Sequence, residues 1–142
     1  MAGKRQRRSV PVTSGYETFR QVVVTIALVV GVFYALVHSV IFSLYILSFK
    51  GGIAAAKVML AVTGGVTGGL SIWAMVLFFS VTFAPESWLQ SSATGLAWMR
   101  RSGLKSKSTI GLRIMSLILS LAATTWAVVC ILSLMTALLS SK

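Results

Sequence analysis

Residues 21–49 read QVVVTIALVVGVFYALVHSVIFSLYILSF, a run of 29 residues without an Asp, Glu, Lys or Arg. An apolar stretch of about 18 or more residues predicts a transmembrane helix. The apolar region of a secretory signal peptide is only about 7–15 residues long, so we expect this segment to be retained as a span. As a helix it would be roughly 43 Å long, and it must tilt or project beyond a hydrocarbon core of about 30 Å.

Two further apolar segments follow, and the sequence therefore predicts an all-α integral membrane protein. The turn Lys-Gly-Gly at residues 50–52 is so short that the second helix returns as an antiparallel neighbour of the first. Pro85 is expected to end that second helix, because proline cannot continue the hydrogen-bond pattern. The three predicted transmembrane helices are about 21–49, 53–84 and 114–139.

Composition agrees with a membrane protein and argues against other classes. The chain is 56% apolar and only 11% charged, whereas soluble domains carry about 25% charged residues. The acids are Glu17 and Glu86 alone, and the groups that acid–base or nucleophilic catalysis needs are scattered. We therefore expect no enzyme. The basic residues that give the net charge of +11 flank the apolar runs. Positive-inside sorting therefore explains them, and no nucleic-acid partner is predicted.

The basic residues predict the orientation. Residues 1–20 contain five Lys and Arg, residues 85–113 contain five more, and the remaining three of the 13 lie elsewhere. By the positive-inside rule, the leader 1–20 and the loop 85–113 are cytoplasmic and the C-terminus lies on the outer side. Residues 21–142 are expected to form a single three-helix domain that includes this loop. Few acids and one cysteine favour a bacterial inner membrane.

The most specific local pattern is a cluster of small residues in the second predicted helix. Glycines spaced four apart let another helix backbone approach closely in lipid. Two interpretations stay open: the face docks another chain, or it packs against the first or third helix of the same chain. The predicted helix-packing residues are Ala61, Gly64, Gly65, Gly68, Gly69 and Ser71.

Polar residues inside the predicted spans are a second candidate site. His38 lies near the middle of the first span, where an ionisable residue is a functional hypothesis by default. A neutral imidazole bonded to a hydroxyl is the structural alternative; no cofactor is predicted, and axial ligation of a porphyrin-type cofactor is a further option. Lys57 is expected to snorkel towards the headgroups. Ser116, Ser120 and Thr124 form a row that favours hydrogen bonds to the preceding turn or a neighbouring helix over a polar path.

The loop 85–113 is the largest predicted surface outside the spans. Its apolar side chains share one helix face and its cations lie elsewhere, as is typical of an interfacial amphipathic helix. Cations on such a loop attract anionic headgroups; an acidic soluble partner is the alternative. The residues expected to contact lipid or a partner are Trp88, Leu96, Trp98, Met99, Arg100, Arg101, Lys105 and Lys107.

These observations favour a non-catalytic membrane subunit that packs through its glycine-rich second helix. It would scaffold or assemble a larger complex of a secretion, transport or energy-converting type, because spans longer than a lone helix needs are often set by neighbouring helices. The alternatives are a homo-oligomeric pore-former of the holin type and a small channel or transporter. The expected partners are a bilayer with anionic headgroups and other membrane subunits or further copies of this chain.

Overall fold

In the part of the chain that the structure describes, three long helices form the bundle, and two short helices lie between the second and the third. The computed structural model describes residues 13–101 and 109–140, and no strand occurs among them. In chain order the helices are α1 Thr13–Leu47, α2 Ala54–Thr82, α3 Glu86–Ser91, α4 Ala93–Arg101 and α5 Thr109–Ser140. α1, α2 and α5 are each long and apolar enough to cross a membrane. The predicted all-α membrane fold with three candidate spans is therefore confirmed.

The helix bounds differ from the prediction mainly where α1 and α5 begin. α1 begins at Thr13 and α5 at Thr109, ahead of the predicted starts at about 21 and 114. Hydropathy marks the apolar part of a helix, whereas polar residues continue the same helix into the headgroup region. With 35 residues, α1 is roughly 52 Å long and extends past the hydrocarbon core even at a tilt of about 40°.

A glycine turn joins α1 to α2 as an antiparallel hairpin. Gly51 and Gly52 have φ angles of +100° and +77°, a region that glycine adopts without the strain a Cβ would cause. The Lys57 ammonium, in the first turn of α2, donates a hydrogen bond to the carbonyl oxygen of Phe49. A cation just beyond the C-terminal end of α1 also complements the dipole of that helix. Lys57 therefore ties the turn to α2.

α2 is the central helix, because it packs against both α1 and α5 while these two contact each other much less. At the end away from the glycine turn, α3 and α4 fold against the spans. The buried cluster there contains Val81, Ala84, Trp88, Leu89, Met99 and Leu112.

The segment between α2 and α5, which the sequence predicted to be amphipathic, is helical and is divided into two helices. It forms two short helices that are separated at Ser92, whose hydroxyl accepts a hydrogen bond from the Gly95 backbone N–H at 2.9 Å. Serine favours this capping role because it satisfies an N–H that has no partner within the helix. Trp88, Leu89 and Met99 of this segment are buried in the cluster with residues of α2 and α5, whereas Leu96 is 40% exposed.

Candidate functional site

Gly65 and Gly69, one pair of glycines spaced four residues apart in α2, lie against α1 of the same chain. A Cβ atom at Gly69 would lie 2.3 Å from the carbonyl oxygen of Gly31, and one at Gly65 would lie 2.7 Å from that of Ala35. Real Cβ atoms essentially never come this close to a neighbouring heavy atom. The backbones of α1 and α2 are therefore in direct contact here, which maximises dispersion and weak hydrogen bonding in lipid.

Gly64 and Gly68, the other pair of glycines with this spacing, border α5 and the aromatic side chains of α1. A Cβ atom at Gly68 would lie 3.0 Å from the Cβ of Cys130, and one at Gly64 would lie 3.2 Å from Cε1 of His38. Ala61 is fully buried. The hydroxyl of Ser71 donates to the Thr67 carbonyl oxygen at 2.8 Å. Contacts within the chain thus occupy most of the surface that the glycine spacing singled out.

His38 is enclosed by the three long helices. It is 2% exposed, and its Nε2 lies 3.4 Å from the Ser133 hydroxyl oxygen of α5. Its ring stacks on Phe42 with a centroid distance of 5.1 Å. The Nδ1 atom and the buried Tyr34 hydroxyl have no hydrogen-bond partner among the described residues. Because the whole side chain is buried, neither ring nitrogen is accessible to a porphyrin outside the bundle, and the contact between Nε2 and Ser133 suits a neutral imidazole bonded to a hydroxyl.

The hydroxyl row of α5 faces α2. Ser116 and Ser120 are each 1% exposed. Ser120 donates to the Met75 carbonyl oxygen of α2 at 3.4 Å, and Thr124 donates to the Ser120 carbonyl oxygen at 2.8 Å. These are the two kinds of hydrogen bond expected of hydroxyls in membrane helices.

A polar cluster that sequence reasoning missed lies at the α3 end of the bundle. Arg20 of α1 is only 7% exposed, and its Nε donates to the Ser80 hydroxyl oxygen of α2 at 3.0 Å. Its guanidinium carbon lies 5.1 Å from the centroid of the Trp88 ring, a cation–π arrangement. Tyr16 donates from its hydroxyl to the Ser80 carbonyl oxygen and meets Trp88 edge to face. The signal that could have found this cluster is the four-residue spacing of Tyr16 and Arg20 on one helix face.

The two acids and Arg113 fasten neighbouring helix ends. Glu17 accepts a hydrogen bond from Thr94 of α4 at 3.4 Å, and Glu86 accepts one from Thr109 of α5 at 3.3 Å. Arg113 donates through Nη2 to the Ala84 carbonyl oxygen at 2.9 Å, just beyond the end of α2. Glu17 thus links α1 to α4, Glu86 links α3 to α5, and Arg113 links α5 to the end of α2.

The Arg20 cluster borders a cleft of about 620 Å³ between α1, α2 and α5, which we call the Arg20 cleft. Tyr16, Arg20 and Ser80 line it on the α3 side, and Thr124 lines it further into the bundle. The rest of the lining is aliphatic or aromatic. These apolar residues are Phe19, Val23, Met75, Val76, Phe79 and Phe83.

A smaller groove of about 210 Å³ follows the contact between α1 and α2, and we call it the α1–α2 groove. Gly31 and Gly69 lie buried beside it, and no residue of α5 lines it among the described residues. All of its larger side chains are apolar. They are Leu28, Val32, Leu36, Val66, Leu70 and Trp73.

The residues predicted to contact lipid or a partner fall into three groups. Trp88 and Met99 are buried in the interior of the chain, so these two side chains are not available to lipid. Trp98 is half-buried and packs against Phe78 with its centroid at 5.6 Å. The third group keeps the expected exposure or lies outside the described residues. Leu96, Arg100 and Arg101 are exposed, and Lys105 and Lys107 lie outside the described residues.

Comparisons with models of known protein families, with curated proteins and with solved structures found no match to this chain.

Proposed function

We propose that this chain is a non-catalytic subunit of a larger membrane complex and that a helix of another subunit packs into the α1–α2 groove. The groove is the observation that supports this most. It is apolar, it lies beside the backbone contact of Gly31 and Gly69, and α5 leaves it uncovered. Helix association in lipid depends on close van der Waals packing, which a groove beside small residues favours.

The side chains that line the α1–α2 groove suit a helix partner better than they suit a small polar ligand. Leu36, Val66 and Leu70 are exposed by 63%, 45% and 53%, so they stand as ridges on both sides of the buried glycines. Trp73 lies half-buried at one side of the groove and supplies the type of residue that often dominates interface energy. The complex that we propose is of a secretion, transport or energy-converting type.

The proposed setting is a bacterial inner membrane with the α3 and α4 end on the cytoplasmic side. Arg100 and Arg101 are exposed at that end, where positive-inside sorting places cations. The glycine turn and the C-terminus would then lie on the outer side.

Site-specific cross-linking in the native membrane tests the proposal. Cys130 is the single cysteine of the sequence and is buried, so a Cys130→Ala chain is a clean background for one added cysteine. Val66→Cys places the thiol in the groove, and Val128→Cys places it on an exposed part of α5 as a matched control. We expect a thiol-linked photo-cross-linker at position 66 to give one product of defined mass with another membrane protein, and none at position 128.

A groove-filling variant provides the second arm. Val66→Phe should abolish co-purification, in mild detergent and without cross-linker, of the partner that cross-linking identified. Val128→Phe should leave this co-purification unchanged. A product that contains two copies of this chain would instead support the homo-oligomeric pore-former. Equal labelling from both positions, or a partner retained by Val66→Phe, would rule out the groove as the docking surface.

A further inference from the structure

We infer that the Arg20 cleft binds one anionic glycerophospholipid, with the phosphate at the Arg20 guanidinium and an acyl chain along the apolar lining. The Arg20 cleft is separate from the α1–α2 groove, because Thr124 of α5 lines the cleft whereas no described residue of α5 lines the groove. The inference therefore stands whether or not a partner subunit docks in the groove.

The depth of Arg20 matches the level of lipid phosphates. From Arg20 to Leu47, the last residue of α1, the helix rises roughly 40 Å. A bilayer measures about 40–45 Å when its headgroup regions are included. With the turn end of α1 at one headgroup layer, Arg20 lies at the other, and Val23 and Thr124 extend the cleft into the hydrocarbon.

The guanidinium is held in place as a preformed anion site. Ser80 accepts its Nε hydrogen bond at 3.0 Å, and the Trp88 ring lies beneath it at 5.1 Å. Both partners are fixed, since Ser80 belongs to α2 and Trp88 is fully buried. Arg20 therefore cannot extend freely into water, as lysines and arginines at helix ends usually do. A guanidinium fork is also the cation best suited to phosphate.

Charge complementarity identifies an anionic headgroup as the occupant. Glu17 lies one turn before Arg20 and attracts its guanidinium, but its carboxylate also accepts a hydrogen bond from Thr94 and does not line the cleft. Arg113 donates to Ala84 at the same end of the bundle but is not among the residues that line the cleft, so Arg20 is the cation of this site. With only two acids against 13 basic residues in the sequence, a lipid phosphate is the counter-ion that the bilayer itself supplies.

The remaining lining fits an acyl chain. Val23, Met75 and Val76 provide an aliphatic wall, and the aromatic side chains lie at the rim. Phe79 and Phe83 are 47% and 66% exposed and lie 4.8 Å apart by ring centroid. The Arg20 cleft is thus cationic at headgroup depth and apolar below it, which is the polarity profile of a phospholipid.

Native mass spectrometry of the purified full chain with equal amounts of phosphatidylglycerol and phosphatidylcholine tests the inference. We expect one retained lipid with a preference for phosphatidylglycerol. Arg20→Gln should lower that preference about fivefold, the effect of one cation near an anionic headgroup. Lys50→Gln removes one positive charge from an exposed position in the glycine turn, at the opposite end of the bundle, and should leave the preference unchanged.

A cleft-filling variant keeps the test decisive if Arg20→Gln misfolds. Val76→Phe retains Arg20 and should reduce retention of either lipid at least threefold, whereas Val128→Phe on exposed α5 should not. Any one of three results would overturn the inference: no preference in the unmodified chain, an equal loss in Lys50→Gln, or full lipid retention in Val76→Phe.

Discussion

Gly69 shows at the scale of one residue how a missing side chain sets the distance between two helices. A Cβ atom added at Gly69 would overlap the Gly31 carbonyl group, because the two glycines oppose each other across the hairpin of α1 and α2. The same residue pair also creates the α1–α2 groove, since larger side chains flank it on both helices. One contact therefore stabilises the hairpin and shapes the surface that we propose for docking.

Gly69→Ala is predicted to destabilise the chain by about 1–3 kcal/mol, the usual result of inserting a methyl group into a tightly packed contact. The new Cβ would lie 2.3 Å from backbone, which cannot rotate away as a side chain can. Unfolding by sodium dodecyl sulfate in mixed micelles, followed by circular dichroism, measures the change. Gly15→Ala is the control, because its Cβ would meet nothing within 4 Å. Equal stability of the two variants would contradict the backbone contact.

At the scale of elements, α3 and α4 pack buried side chains against the ends of the long helices. Trp88 and Leu89 are fully buried, and the cluster that contains them joins α2, α3, α4 and α5. The short break at Ser92 lets the two helices present their apolar side chains to this cluster from two directions. An unbroken interfacial helix of the same composition would instead place one continuous face against lipid.

Trp88→Ala is predicted to cost about 3–5 kcal/mol, because it removes a large buried side chain. It also removes the ring beneath Arg20, so lipid retention in the Arg20 cleft should fall with it. Leu96→Ala, at a 40% exposed position of the neighbouring helix α4, should change stability by less than about 0.5 kcal/mol. Chemical unfolding in detergent measures both. Similar losses in the two variants would mean that α3 does not pack as the structure has it.

At the scale of the whole molecule, the two ends of the bundle differ in structure. One end is a glycine turn tied by Lys57, and the other carries α3, α4, both acids and the Arg20 cluster. α2 connects the ends and contributes to both the Arg20 cleft and the α1–α2 groove. The proposed orientation assigns the α3 and α4 end to the cytoplasm.

Thiol labelling in intact cells is predicted to show that orientation. In the Cys130→Ala background, Ile53→Cys lies 75% exposed beside the glycine turn, and Gln90→Cys lies exposed on α3. A membrane-impermeant maleimide should label position 53 in intact cells and position 90 only after the membrane is opened. The reverse pattern would place the α3 and α4 end outside and would remove the basis for a cytoplasmic loop.

The sequence by itself determined the three candidate spans, their antiparallel connection through residues 50–52 and the all-α class. It could do so because a helix in lipid must satisfy every backbone group internally, so an uncharged apolar run has few structural alternatives. The uncharged run 21–49 and the break at Pro85 carried most of this information. Helix ends were less predictable, since polar residues extend α1 back to Thr13 without a hydropathy signal.

Only the tertiary structure decided which surfaces those helices share. Glycine spacing indicates close packing but not the partner, and here α1 and α5 of the same chain meet most of the glycine face. Helical spacing placed Trp88 and Met99 on one helix face. Spacing alone does not indicate whether such a face contacts lipid or the protein interior, and here both side chains are buried. The Arg20 cleft depends on residues 60 or more positions apart, such as Arg20 and Ser80. Such contacts arise from the crossing of helices, which a local pattern does not encode.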